Sequence, residues 1–209
     1  MRIERLGDQG FILRDLACPP AALAKAAENV RGVFEAVTSY DTVGVSAGPE
    51  LELSDLEDLE LTCVSVATVP IRHSIPVCYA LGEDLEEAAA TLSLTTQEVI
   101  ALHSGGSYTC AAIGFCPGFP YLAGLPPRLQ GLPRRGSPRP RVEPGSVAIT
   151  RDQAGIYPLP RPGGWTIVGR TPLVLVDVEQ DYFPISAGDV IRFVPIDSEE
   201  FEARKGERL

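Results

Sequence analysis

The alternation of apolar and polar positions divides the chain into two styles of sequence. Residues 2–17 alternate imperfectly on either side of Gly7 to Gly10, the pattern of two short strands joined by a turn. Pro19 and Pro20 open a stretch in which Leu23, Ala26, Ala27 and Val30 recur at i, i+3, i+4 and i+7. That apolar stripe predicts a helix, with proline tolerated in its first turn and Gly32 ending it. Two strands are expected between Val33 and Ala47, turning at Tyr40 and Asp41. A brief helix follows, with Ser54 and Glu57 as its capping box, and 62–69 reads as another strand. This order predicts a small α+β domain over 1–70.

From 71 to 209 the pattern changes. After a strand around Ile75 to Tyr79, Leu85, Ala88, Ala89 and Leu92 mark one helix face, with Glu83, Asp84, Glu86 and Glu87 in its first turn, where the helix dipole favours anions. Thr95 and Glu98 form a capping box for a second helix that carries Val99, Ile100 and Leu102 to a stop at Gly105 and Gly106. Beyond this helical hairpin no helical period is found. Strands are expected at Tyr108 to Gly114, Ser146 to Thr150, Trp165 to Val168, Leu173 to Val178 and Val190 to Pro195, and the tail from 199 looks frayed. Short strands with Gly and Pro corners favour a small β-barrel, so the fold class is α+β and mainly β.

The segment 114–173 is dense in Gly and Pro, yet it carries Phe115, Phe119, Tyr121, Tyr157 and Trp165, which disordered linkers tend to lack. Stiff corners bearing aromatics suggest a shaped pocket. Arg128, Arg134, Arg135, Arg139 and Arg141 fall in the same segment with no acidic residue among them, in a chain of net charge -10. Guanidinium forks recognise phosphate and carboxylate, so these residues form either an anion site or a solvated turn offsetting the acidic remainder. Pro138 and Pro140 frame Arg139 and Arg141 and single them out.

Composition narrows the classes further. Hydrophobic content of 44% and charged content of 22% are those of a soluble globular chain. No stretch approaches a membrane span, and the first residues lack the apolar core of a signal peptide. Five cysteines with no CxxC pair argue against a disulfide framework and for a cytoplasmic home. The two histidines, His73 and His103, stand at no ligand spacing from the thiols, so no metal site is expected. The acidic balance argues against nucleic acid as a partner. No P-loop and no GxGxxG is present.

Single residues carry two readings each. His103, at a helix end, either caps a last carbonyl or acts as acid or base at a pocket rim. Cys116 reads as a small buried hydrophobe, because no neighbour in sequence would activate it. Asp152, Asp177 and Asp181 are acid/base candidates or turn residues. Tyr157 and Trp165 are pocket walls or core, and Gly163 and Gly164 allow close approach of a ligand or make a turn.

GFCPGFPYL (114–122), PRPRVEPGSVAI (138–149), GIYPL (155–159), PGGWTIVGRTPL (162–173) and AGDVIRF (187–193) together resemble the family of 5-oxoprolinase B subunits, whose members are also labelled as the first subunit of allophanate hydrolase or as KipI-type kinase inhibitors. The likeness is strong over 70–196 and looser before it. It implies a cyclophilin-like β-barrel after the N-terminal domain. It also implies participation in ATP-dependent ring opening of 5-oxoproline, together with a homologous C-type subunit and a third, A-type one. ATP, with Mg2+, enters through this resemblance alone. On it, His103, Arg139 and Arg141 become catalytic candidates, and Phe119, Tyr157, Trp165, Gly118, Gly163, Gly164 and Arg170 substrate-binding ones, around a small anionic substrate. Two rival readings follow from the same family. One is an inhibitor that docks on a sensor histidine kinase through Phe119 and Tyr121. The other is a component of an allophanate or urea amidolyase, ranked lower because the chain lacks a Ser-Ser-Lys amidase signature.

Overall fold

The computed structural model describes residues 1–59 and 69–209, which form two compact units, Met1–Pro70 and Ile71–Leu209. In the first, β1 (Arg2–Leu6), β2 (Gly10–Arg14), β3 (Val33–Ser39) and β4 (Thr42–Ala47) make an antiparallel sheet in the order β1-β2-β4-β3. Helix α1 (Pro20–Ala27) places Leu23 and Ala27 against Phe11, Leu13, Val43 and Val45 of one sheet face. Helix α2 (Leu53–Glu57) adds Leu56 to that core. Its cap differs from the expected one: Asp55 accepts from the Glu52 backbone N–H at 3.1 Å, so the box begins two residues before Ser54. The strand expected over 62–69 lies, apart from its last residue, outside the described residues. Against the expectation from cysteine count, Cys18 stands in a disulfide, while Cys78, Cys110 and Cys116 are free thiols.

The second unit is a closed seven-stranded barrel. Its strands are β5 (Arg72–Cys78), β6 (Tyr108–Ile113), β7 (Pro120–Ala123), β9 (Ser146–Thr150), β10 (Gln153–Ile156), β12 (Thr166–Arg170) and β13 (Val190–Ile196). They run in the order β6-β13-β5-β12-β9-β10-β7, and β7 returns to pair with β6. Among these strands only β13 and β5 run parallel. A separate two-stranded ribbon joins β8 (Arg139–Val142) to β11 (Arg161–Gly163). Helices α3 (Leu85–Thr91) and α4 (Thr96–Gly105) form the hairpin, with Thr95 and Glu98 capping α4 reciprocally.

Every residue of β9 is buried, and alternation explains why. Val147 and Ile149 enter the main core with Val77, Tyr108, Phe193 and α3's Ala88, whereas Ala148 points to the other face. There it joins Phe119, Tyr157, Trp165 and Ile167 in a second, aromatic cluster. One strand thus supports two cores.

Two further expectations fail here. Leu173 to Val178 forms no ladder, only isolated bridges of Val174 to Arg208 and Asp177 to Tyr182, although Leu173, Leu175 and Val176 are buried. The tail is not frayed: α5 (Ser198–Ala203) is capped by Asp197 Oδ1 accepting from the Glu200 N–H at 2.8 Å, and Phe201 is buried. Among the described residues no helix is long and apolar enough to cross a membrane.

Candidate functional site

The GFCPGFP corner builds one wall of a cavity. Phe119 N–H donates to Cys116 O at 3.1 Å, closing a turn with Pro117 and Gly118 at its centre. Gly118 has φ +70, as a type II turn requires, and a Cβ there would lie 2.2 Å from Val176 Cγ2. Phe115 also takes a left-handed backbone, φ +64, which is costly for an aromatic residue. The strain holds its ring 58% exposed, edge-on to Phe119 at 5.4 Å and to Tyr157 at 6.3 Å.

Phe119 is the hub of the cluster. Tyr121, Tyr157 and Trp165 meet it edge-to-face at 5.0, 5.2 and 5.5 Å, the geometry that ring quadrupoles favour. Glycines allow this density: a Cβ on Gly155 would lie 2.9 Å from both Phe119 Cζ and Trp165 Cζ3, and one on Gly163 2.4 Å from Tyr157 Oη. Burial pushes the Tyr157 phenol up, opposed by a hydrogen bond from the Trp165 backbone and by the charge of Arg134. The phenol is therefore neutral around pH 7.

The opposite wall is the segment before β8. Arg135 N–H donates to Gly164 O at 2.8 Å, and the Arg135 guanidinium reaches Asp84 Oδ1 at 3.1 Å and Glu87 at 3.5 Å. Arg134 lies over Trp165, 5.9 Å from the ring centre. Between the walls is a cavity of about 300 Å³, lined by these aromatics, both arginines, Pro138, Pro162, Gly163 and Gly164.

The structure brings Phe119, Tyr157, Trp165, Gly163 and Gly164 together there and leaves the other expected residues elsewhere. His103 requires the largest correction. It is wholly buried, stacked on Phe193 at 4.4 Å, with Nδ1 2.7 Å from Tyr79 Oη. Burial drives its pKa down to about 3, so it is a neutral core residue and not a rim acid. Arg139 is tied to Asp84 and, at 3.2 Å, to Glu83. Arg141 is exposed beside Glu143 at 2.6 Å. Both arginines of the proline frame face acids of the same chain. Gly118 supports the corner from behind, and Arg170 donates to Pro144 O at 3.0 Å along a different crevice. Burial raises the pKa of the Cys116 thiol, with Arg161 opposing.

Reading the sequence alone places Arg134 and Arg135 in the arginine segment but prefers Arg139 and Arg141, and it reads Asp84 only as an acid in a first helical turn. Their signal is the acidic run 83–87, which supplies counter-charges to some arginines and leaves others over. Gly-x-Ser-x-Gly also occurs at 44–48, but Ser46 stays inside strand β4 and forms no strand-to-helix elbow. The cavity lining holds no carboxylate, imidazole or thiol. It can bind and orient a flat ligand and offer guanidinium charge and neutral phenols, while a base at neutral pH has to come from outside it.

Residues 3–185 match the family described as carboxyltransferase domain, subdomain C and D. Over 136 residues the chain is 43% identical to the 5-oxoprolinase B subunit of Bacillus subtilis, covering 64% of this chain and 56% of that protein. Over 124 residues it is 47% identical to the 5-oxoprolinase B subunit of Escherichia coli O157:H7, covering 58% and 56%. The matched stretch spans little over half the length of these relatives. The crystal structure of the uncharacterized protein PH0987 from Pyrococcus horikoshii superposes with a TM-score of 0.59 at 32% identity, covering 96% of this chain and all of that one. That of TTHA0988 gives 0.76 at 36% identity, covering 91% of this chain and 40% of that one. Urea amidolyase of K. lactis shares the fold alone, at 17% identity. The chain therefore belongs to the family of carboxyltransferase domains, subdomain C and D, alongside proteins named as the B subunit of 5-oxoprolinase.

Proposed function

We propose that the chain serves as the B-type subunit of an ATP-dependent 5-oxoprolinase, and that its aromatic cavity receives the lactam ring of 5-oxo-L-proline. The observation that carries this reading is the cavity itself. Residues of the motifs that carry the family resemblance (Phe119, Tyr157, Gly163, Gly164, Trp165) meet around a space of about 300 Å³ with guanidinium groups at one side. Flat walls suit a five-membered ring, and the positive side suits its carboxylate.

The same cavity contains no residue that could act as base or nucleophile at neutral pH, which favours a division of labour. On this proposal a homologous C-type subunit and a third, A-type one provide the reacting groups. The cavity does not fit a magnesium nucleotide. Its lining has no carboxylate, and among the described residues no group of three His, Cys, Asp or Glu could hold a metal. We assign the nucleotide to one of the partners.

The test is 5-oxoproline-dependent ATP hydrolysis, measured for the chain alone and with its C-type and A-type partners. No turnover alone and turnover in the complex are expected. A folded but inactive complex would overturn the proposal. The kinase-inhibitor alternative loses its main support, since Phe119, one of the two rings expected to dock, is 1% exposed.

A further inference from the structure

We infer that Arg134 is the specificity-determining residue of the aromatic cavity: its guanidinium binds the carboxylate of a small flat ring held among Phe119, Tyr157 and Trp165. This rests on the reading of the cavity as a lactam site and goes beyond it by assigning one atom group to one substrate group.

The allocation of charge points to this residue. Within the arginine segment, Arg128 faces Glu98, Arg135 faces Asp84 and Glu87, Arg139 faces Asp84 and Glu83, and Arg141 faces Glu143. Arg134 has no acidic partner among the described residues. Its contact is with the face of Trp165, at 5.9 Å. Its charge reaches Tyr157, since it opposes the upward push of burial on that phenol.

The backbone beside it is anchored as well. The next residue is held at both ends, its N–H on Gly164 O at 2.8 Å and its guanidinium on buried Asp84 at 3.1 Å. Arg134 therefore leaves the backbone at an anchored point, with its guanidinium over the Trp165 ring. A guanidinium stacked on an aromatic face keeps its edge free for two parallel hydrogen bonds to a carboxylate. No anionic side chain lines the cavity to compete. A carboxylated ring is thus favoured over the same ring without the acid.

The chain supplies its own probe, because Trp165 is the single tryptophan and lines the cavity. Its fluorescence would be titrated with 5-oxo-L-proline and with 2-pyrrolidinone, the lactam lacking a carboxylate. The native chain should prefer 5-oxoproline by about tenfold or more, the scale of a charge-assisted hydrogen bond. Arg134→Met should bring the two ligands within about threefold while leaving 2-pyrrolidinone affinity unchanged. Arg134→Lys, which keeps the charge and loses the fork, should fall between. In the assembled enzyme, Arg134→Met should raise KM with little change in kcat. Retention of the full preference by a folded Arg134→Met chain would overturn the assignment and leave the cavity reading standing. Silence of Trp165 toward both lactams in the native chain would sink the cavity reading and this inference together.

Discussion

Arg141 ends on open surface against Glu143, and an exposed ion pair of this kind contributes little to stability. Arg141→Ala is accordingly expected to leave both the melting temperature and the turnover of the assembled enzyme unchanged, in contrast to Arg134→Met. Loss of turnover in Arg141→Ala would return that residue to the site. His103 gives a prediction of a different sort. Its folded pKa, about 3, lies below the ordinary 6.5, so between those values the unfolded chain takes up a proton that the folded chain refuses. The stability tied to His103 is complete above pH 6.5 and falls as pH drops toward 3, by about 1.4 kcal/mol per pH unit. Urea denaturation between pH 7 and pH 5 should show this slope in the native chain and a flatter one in His103→Gln. Equal slopes would mean that the imidazole is not held neutral. Residue roles are the least legible part of the sequence. A histidine before two glycines reads as a helix end in one dimension, and only packing shows that the same turn faces Phe193 and Tyr79.

At the scale of elements, Asp84 joins three pieces that lie far apart along the chain. As the residue before α3 it exchanges backbone and side-chain bonds with Ile167 of β12, its N–H donating at 2.9 Å and its Oδ2 accepting at 2.8 Å. Its Oδ1 also receives Arg135 and Arg139, and the side chain is 4% exposed. Removing it leaves the buried Ile167 N–H without its acceptor and takes the shared carboxylate from Arg135 and Arg139, which keep Glu87 and Glu83, a loss on the order of 2 kcal/mol for Asp84→Ala. Because Arg135 anchors the cavity wall, the same variant should weaken the Trp165 response to 5-oxoproline, and an unchanged response would separate the clamp from the cavity. From sequence, the acids at the start of α3 are explained by the helix dipole alone, which hides this clamp. Local rules find α1, both helices of the hairpin and most barrel strands, since each has its own period or cap. They miss the short strands β7 and β10, whose four residues pair only because the barrel brings them together, and the ribbon strands β8 and β11, which pair only with each other. They overcount 173–178, where burial without a ladder produces the same apolar run as a strand.

At the scale of the molecule, the cores are separate. The apolar cluster of the first unit draws on residues between Phe11 and Leu59, whereas the main and aromatic clusters of the second draw on residues between Ile75 and Phe193. A unit spanning Ile71 to Leu209 has the size of an ordinary independent domain. Expressed alone it should unfold cooperatively, with Trp165 emitting as a buried indole and shifting with 5-oxoproline as in the full chain. The tail decides how far that unit can be shortened. Val174 N–H donates to Glu207 O at 2.7 Å, Gly206 N–H to Pro172 O at 3.0 Å, and Tyr182 Oη to Leu209 O at 2.8 Å. Phe201 is 4% exposed. Ending the fragment at Ile196 would strip these partners from the segment 172–182, which has no sheet ladder of its own, and would uncover Val176, the side chain against which Gly118 turns the aromatic corner. The shorter fragment should therefore lose melting temperature and Trp165 ligand response together, while the fragment reaching Leu209 keeps both. If the two fragments behave alike, the tail is the frayed end that its charged sequence suggests, and the corner is held by the barrel alone.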